Sequence, residues 1–448
     1  MPSPQLGDIT KRFLQLNPVN AISSGDFSPS AGLPLIKFDV SSTDKPTLLD
    51  LSRLRINGRI TYFTGTMGTA ETQVGANGRN FRDGFSGDFS NCVEHVTIAS
   101  KRLNSVLERV TNYSRIIPSV VSGNHGENDI NCELSHEGGH VVNNYLGRNY
   151  IRPQEVSKGK HFSAPLYCGI MNSGKDLDIS INGSGGLTIE LLLKPAVSAC
   201  FGTDANANQV KFKLSDLILT CPAYELGGQS AQQYLQGEQN FEFNSITSIF
   251  QTLNSSASVV AITPGLSRVS SIFMNAINTT NLGNQNFNSN RLSNMGELRE
   301  LRFSKNGILH PNQYRLFSDV QQNNVVSAPN GITLQGRCMI DANYLEAVST
   351  NPIGSFGRTM LAYNNYEDGI KGRAQTENQS GTETGTVEGV GILFDAYGSG
   401  ENFTQTVFSV EFDNSTLDGQ VATTLGLYMF FLNKQVLMMS PNGISVQK

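Results

Sequence analysis

Apolar and polar residues alternate with period two along much of this chain. The runs are short and set apart by turn-forming residues, the signature of half-buried β-strands. Pro34-Leu35-Ile36-Lys37-Phe38-Asp39-Val40 is the first. Residues 54–63 form a second, with Asn57-Gly58 as a tight turn or bulge. Val93-Glu94-His95-Val96-Thr97-Ile98 is a third; residues 177–181, 187–193 and 210–219 follow, with Gly183-Ser184-Gly185-Gly186 as a hairpin signal between the first two. A comparable series occupies 269–274, 301–309, 390–394, 407–412 and 423–439. Three stretches change period. Leu103, Val106, Leu107 and Val110 fall at helical spacing and predict a helix over 100–113, with Pro118 beyond it. A shorter helical piece around 341–348 takes the corresponding place in the later series. Leu6, Ile9, Phe13 and Leu16 would line one side of a short helix that ends at Pro18 and Ser23-Ser24-Gly25.

The order of elements is therefore given twice. One jelly-roll-type sandwich takes roughly 150–250 residues, so 448 residues have room for two, each with a core of its own. The pattern divides the chain into an arm at 1–32, a first sandwich at 33–226, a linker at 227–240 and a second sandwich at 241–448. Gly227-Gly228-Gln229-Ser230 and the Gln-rich segment after it mark the linker. Leu301-Arg302-Phe303-Ser304-Lys305-Asn306-Gly307-Ile308-Leu309 echoes Arg55-Ile56-Asn57-Gly58-Arg59-Ile60. Long turn-rich connections between evenly spaced strands favour an all-β class with Greek-key sandwiches over a parallel α/β sheet.

Composition narrows the function classes. The net charge is −5, and charged residues make up 16% of the chain with no block of one sign. Duplex binding usually needs a basic face or tail, so direct coating of a genome is disfavoured. Trp, the strongest stacking platform for sugars and bases, is absent. The start carries Lys11 and Arg12 after polar residues and no apolar core, so no signal peptide is expected. The longest apolar run, 427–432, is of strand length, well below the roughly 18 residues of a membrane span. Cys92, Cys132, Cys168, Cys200, Cys221 and Cys338 include no C-x-x-C pair and read as reduced, half-buried thiols. Sequons such as those at Asn112, Asn278, Asn402 and Asn414 fit an Asn/Ser/Thr-rich surface without a secretory leader.

Two motifs carry formal chemistry. His136-Glu137-Gly138-Gly139-His140 matches H-E-x-x-H, which needs both His on one helix face to hold Zn²⁺ while the Glu polarises water. Its two central glycines each cost a helix about 1 kcal/mol, no apolar stripe precedes it, and Glu155 is only a guess at a third ligand. A turn-rich loop with solvated His is the simpler reading. Gly169-Ile170-Met171-Asn172-Ser173-Gly174-Lys175-Asp176 approaches a phosphate loop, but Asp176 replaces the Mg²⁺-ligating hydroxyl and a strand follows it. A β-turn is expected there. No G-x-S-x-G elbow occurs, His95 and His161 read as structural, and Glu367-Asp368 reads as a solvated pair. No catalytic, cofactor-binding or metal-ligating residue is assigned, and no cofactor.

Taken together, several stretches resemble the double jelly-roll major capsid proteins of icosahedral double-stranded DNA viruses, particularly those of virophage, polinton-like and adintovirus type. They are Leu51-Ser52-Arg53-Leu54-Arg55-Ile56-Asn57-Gly58-Arg59-Ile60, residues 93–100, the helix ending Val110-Thr111-Asn112-Tyr113-Ser114-Arg115, residues 301–311 and the closing strands to Val446. The resemblance implies two tandem eight-stranded jelly rolls standing perpendicular to a shell, and a homotrimer with a pseudo-hexagonal outline. It implies a structural, non-enzymatic virion protein that contacts its own copies, neighbouring capsomers, penton proteins and minor capsid or cement proteins. Loops 65–87, 123–160, 278–297 and 371–386 would form outward towers and trimer contacts. The arm and linker would lie at the base, towards minor proteins or an internal membrane. Two alternatives remain: a receptor- or glycan-binding spike or lectin-like β-sandwich, which predicts an exposed aromatic groove, and a β-sandwich hydrolase, which predicts bound metal.

Overall fold

The computed structural model of the protein describes residues 9–22, 25–68, 70–73, 89–116, 159–181, 184–199, 210–228, 239–253, 257–279, 300–309, 390–393, 400–413, 425–440 and 442–447, together with short pieces at 85–86, 142–143, 148–149, 201–202, 231, 282–283 and 316–317. In chain order the strands begin with β1 (Ile9–Leu16), β2 (Leu35–Ser41), β3 (Thr47–Asp50), β4 (Arg55–Thr66), β5 (Ala70–Gln73), β6 (Phe85–Ser86), β7 (Val93–Ser100) and β8 (Val106–Val110). They continue with β9 (Val142–Asn143), β10 (Arg148–Asn149), β11 (Lys160–Pro165), β12 (Asp176–Asp178), β13 (Gly186–Leu193), β14 (Phe201–Gly202) and β15 (Lys211–Leu226). The later part has β16 (Gln239–Leu253), β17 (Ala257–Ile262), β18 (Val269–Asn278), β19 (Glu300–Lys305), β20 (Ile308–Leu309) and β21 (Leu316–Phe317). It closes with β22 (Val390–Leu393), β23 (Phe408–Asp413), β24 (Leu425–Ser440) and β25 (Gly443–Gln447). The α-helices among the described residues are single turns, α1 (Phe89–Cys92) and α2 (Ala196–Ala199). The fold is all-β.

Two sheets dominate the first half. One runs β11-β4-β15-β3-β12, with β1 on the free side of β15 and β5 folded back on β4; the other runs β2-β13-β7-β8. Alternation sets their facing sides. Ile36, Phe38 and Val40 of β2, Leu187, Ile189 and Leu191 of β13, and Val96 and Ile98 of β7 point inward. They meet Ile56 and Ile60 of β4 and Phe212, Leu214 and Leu219 of β15 in one apolar core. Each such side chain contributes about 1.5–3 kcal/mol by leaving water, so this face-to-face layer fixes the sandwich.

The second half repeats the plan. One sheet runs β16-β24-β18-β22 with β25 beside β24, and the other runs β17-β23-β19-β20 with β21 on β19. Phe431 of β24 meets Phe408 of β23 edge-on at 6.0 Å, and Phe303 and Phe403 close around Phe408. On the opposite face of β24, Phe430 and Leu432 belong to the core of the first half, with Phe241, Phe243 and Ile246 of β16 and Ile444 of β25. A strand covered on both sides needs apolar residues at consecutive positions. That accounts for the run 427–432.

Several expectations are corrected. Residues 100–113 are not a helix: β7 turns at 101–105, where Ser100 N donates to Ser105 O at 2.8 Å, and returns as β8 paired to β7. Val106, Leu107 and Val110 satisfy helical and strand spacing alike, and the free edge of β7 decides between them. The N-terminal arm does not form a helix over 9–16 either; β1 pairs with β15 from Ile9↔Leu226 to Leu16↔Leu219. Gly183–Gly186 does not close a hairpin, because β12 pairs with β3 in one sheet and β13 with β2 and β7 in the other. Asn57-Gly58 lies in the middle of β4; the bulge falls opposite, on β15 between Ser215 and Ile218. A Cβ on Gly58 would stand 2.6 Å from Leu217 Cδ2 and 2.8 Å from Phe162 Cζ, so close packing, not a turn, requires glycine there. The helical piece expected at 341–348 lies outside the described residues.

Candidate functional site

Among the described residues, the densest buried polar network lies where the two halves meet. The elements there are β8, the residues that follow it, the 166–175 segment, and β16 and β24. β8 ends its sheet, and a register shift opposite Ile98 and Ala99 interrupts its alternation at Leu107, which is buried. The next residue, Glu108, is buried as well, at 3% exposure. Its carboxylate accepts Gly169 N at 2.9 Å and Ile170 N at 2.9 Å from the 166–175 segment, and Ile246 N at 3.3 Å from β16.

Burial dominates the electrostatics of this group. It raises the Glu108 carboxyl to about 7, against the three amides and the Ser245 hydroxyl, which favour the charged form. The Cys168 thiol is pushed well up, chiefly by burial and then by the Glu108 charge. Approach at this point is close: a Cβ on Gly169 would lie 1.9 Å from Asn244 O. Only glycine lets the segment carrying these amides reach β16.

Further along, Thr111 Oγ1 and Ser248 Oγ are 2.5 Å apart, Ser248 Oγ donates to Thr111 O at 2.9 Å, and Asn112 Nδ2 donates to Ser248 Oγ at 3.1 Å. Asn112 holds a left-handed backbone (φ 51°) that turns the chain into the single 3-10 turn Tyr113–Arg115. Arg115 is buried with its guanidinium 4.9 Å from the centre of the Tyr428 ring on β24, and Tyr428 in turn packs on Phe250 at 4.6 Å. Burial lowers the Arg115 pKa to about 10, while burial also raises the Tyr428 phenol. Lys194 Nζ donates to Ser114 Oγ at 2.9 Å, and Tyr113 Oη accepts Tyr167 N at 2.8 Å.

The residues singled out from the sequence distribute as follows. The phosphate-loop-like segment is the turn that holds Glu108, so its first two amides are occupied by an internal carboxylate. Asp176 begins β12 opposite Asp50, and burial first, then the Asp50 charge, raises its carboxyl. His95 lies on β7 opposite Leu192, and His161 on β11 is exposed. Cys92, Cys168 and Cys221 are buried and outside any disulfide, the last thiol pushed up to about 12 by burial and by Asp50 and Asp176. His136, His140, Glu155, Cys132, Cys200, Cys338, Glu367 and Asp368 lie outside the described residues. Among the described residues no three His, Cys, Asp or Glu side chains converge as a metal would need, and no helix is long and apolar enough to cross a membrane. Glu108 and Arg115 did not stand out in the sequence, because a helix ending at Arg115 spreads its polar residues towards solvent, and Tyr428 was one member of the apolar run 427–432.

No family model and no curated relative matches the sequence. Whole-chain likeness appears among solved structures. The PBCV-1 virus capsid protein is 10% identical, with 98% of this chain and 97% of that one covered and a TM-score of 0.58. The Faustovirus major capsid protein is 9% identical, with 96% and 91% covered and a TM-score of 0.55. The mavirus major capsid protein is 10% identical, with 99% and 90% covered and a TM-score of 0.50. At such identity the likeness is one of fold: a double jelly roll.

Proposed function

We propose that the chain is a major capsid protein, a structural subunit of an icosahedral virion shell and not an enzyme. The observation that carries this reading is the joining of two sandwiches over one shared core, in a fold that extends over nearly the full length of viral major capsid proteins. One polypeptide then offers two similar wedges held at a fixed angle. Three such chains close into a ring of six wedges, and a nearly hexagonal tile is what an icosahedral sheet repeats.

The division at 33–226 and 241–448 gives the two wedges, with 227–240 as their connection. Mild net charge lets many copies crowd together without strong repulsion, so apolar burial between wedges supplies the association energy. Neighbouring capsomers, penton proteins and minor capsid or cement proteins are the partners this reading requires. The arm at 1–32 and the linker at 227–240 are assigned to the base of the tile, facing minor proteins or an internal membrane. Sequence-specific nucleic-acid binding has no part in it.

Size-exclusion chromatography with light scattering tests the reading. A particle of three times 48.6 kDa that persists on dilution is expected. A monomer at high protein concentration would remove the tile and with it the shell role.

A further inference from the structure

We propose that Glu108 is a proton-operated clasp between the two sandwiches: with a proton bound it fastens the 168–170 turn and β16 to β8, and without one it loosens that seam. This is a property of the single chain and does not rest on the shell reading.

The geometry places one carboxyl where three elements from both halves converge. Amides of Gly169, Ile170 and Ile246 reach it from two directions, and the glycine at 169 exists to permit that approach. A structural acid of this kind normally has a cation beside it. Here no positive charge is among the influences on Glu108, which are burial, the three amides and Ser245. The buried cations described near the seam are engaged elsewhere: Arg115 stands over the Tyr428 ring and Lys194 donates to Ser114 Oγ.

The other titratable groups on the surrounding elements are Glu94 and His95 on β7, Arg109 on β8, Tyr167, Cys168 and Lys175 in the 166–175 segment, Glu242 on β16, and Tyr428 and Lys434 on β24. Cys168 is the one whose titration is tied to Glu108, and its thiol stays protonated. Ser245 completes the device: its hydroxyl can donate to the carboxylate or accept from the acid, so the same site serves both states.

The direction follows from linkage. The carboxyl in the fold lies at about 7, above the ordinary value of 4.5. Its contribution is therefore complete below about 4.5 and is lost as the pH rises through about 7. The seam is tight in acid and slack in mild alkali.

Hydrogen exchange read by mass spectrometry on the full chain at pH 5.5 and 8.5, corrected for intrinsic exchange rates, tests this. Protection of the peptides holding Gly169, Ile170 and Ile246 is expected to fall on the order of tenfold at the higher pH. Glu108→Gln should be less protected throughout but equally so at both pH values. Ser245→Ala removes a donor to the carboxylate, so its midpoint of loosening should move to higher pH. Equal wild-type protection at both pH values overturns the clasp, and so does the same loss in Glu108→Gln. If that variant does not fold, a midpoint unmoved in Ser245→Ala overturns it instead.

Discussion

Single residues take their roles from what lies opposite them. Asn57-Gly58 and Asn306-Gly307 are the same dipeptide, in stretches that echo one another. The second makes the tight turn between β19 and β20, with φ of 50° and 79°, while the first runs straight through β4. What separates them is Leu217 and Phe162 packed over Gly58, which are distant in sequence and silent in a local pattern. Glu108 shows the same limit. As a charged residue in a stretch whose spacing predicts a helix it reads as solvated, and only the arrival of 168–170 and β16 encloses it. Gly169 is the residue on which that arrival depends most. Gly169→Ala forces a carbon against Asn244 O and is expected to destabilise the fold by about 3 kcal/mol, read as a lower urea midpoint with an unchanged slope. A midpoint equal to that of the wild type would mean the segment and β16 are not in contact in solution.

At the scale of elements, period-two alternation located the strands well: β2, β4, β7, β13, β15, β18, β22, β23 and β24 all fall on runs legible in the sequence. Failures arose where two periods fit the same residues. Val106, Leu107 and Val110 in β8, and Ile9, Phe13 and Leu16 in β1, suit a helix or a strand, and in each case an unpaired edge settled the matter. The glycine-rich 183–186 segment failed differently, since a sequence cannot say whether a turn returns to the same sheet or crosses to the facing one. β1 has a further consequence. It covers the outer edge of β15 with a full antiparallel ladder, anchored by Arg12 against Glu225 at 3.0 Å. Removing residues 1–16 would bare the backbone groups of 219–226, an open template for pairing with another chain. The truncated protein is expected to melt at lower temperature and to self-associate without a fixed stoichiometry. If it melts and sediments as the intact chain does, β1 is dispensable to the first sandwich.

For the whole molecule, the duplicated order of strands was visible in the sequence, and the double sandwich followed from it. The shared core was not visible. A sequence divided into two rolls suggests two separate cores, whereas Phe430 and Leu432 face the first half while Phe431, between them, faces Phe408. β24, apolar at consecutive positions, joins the two sandwiches over one core together with Phe241, Phe243 and Ile246 of β16 and Ile444 of β25.

The proposal that three chains make one tile is tested most directly by electron microscopy of the purified protein, with class averages computed without imposed symmetry. The account predicts particles of hexagonal outline whose true rotational symmetry is threefold, with six lobes that alternate in shape. Single two-lobed particles, or rings with any other number of lobes, would contradict it.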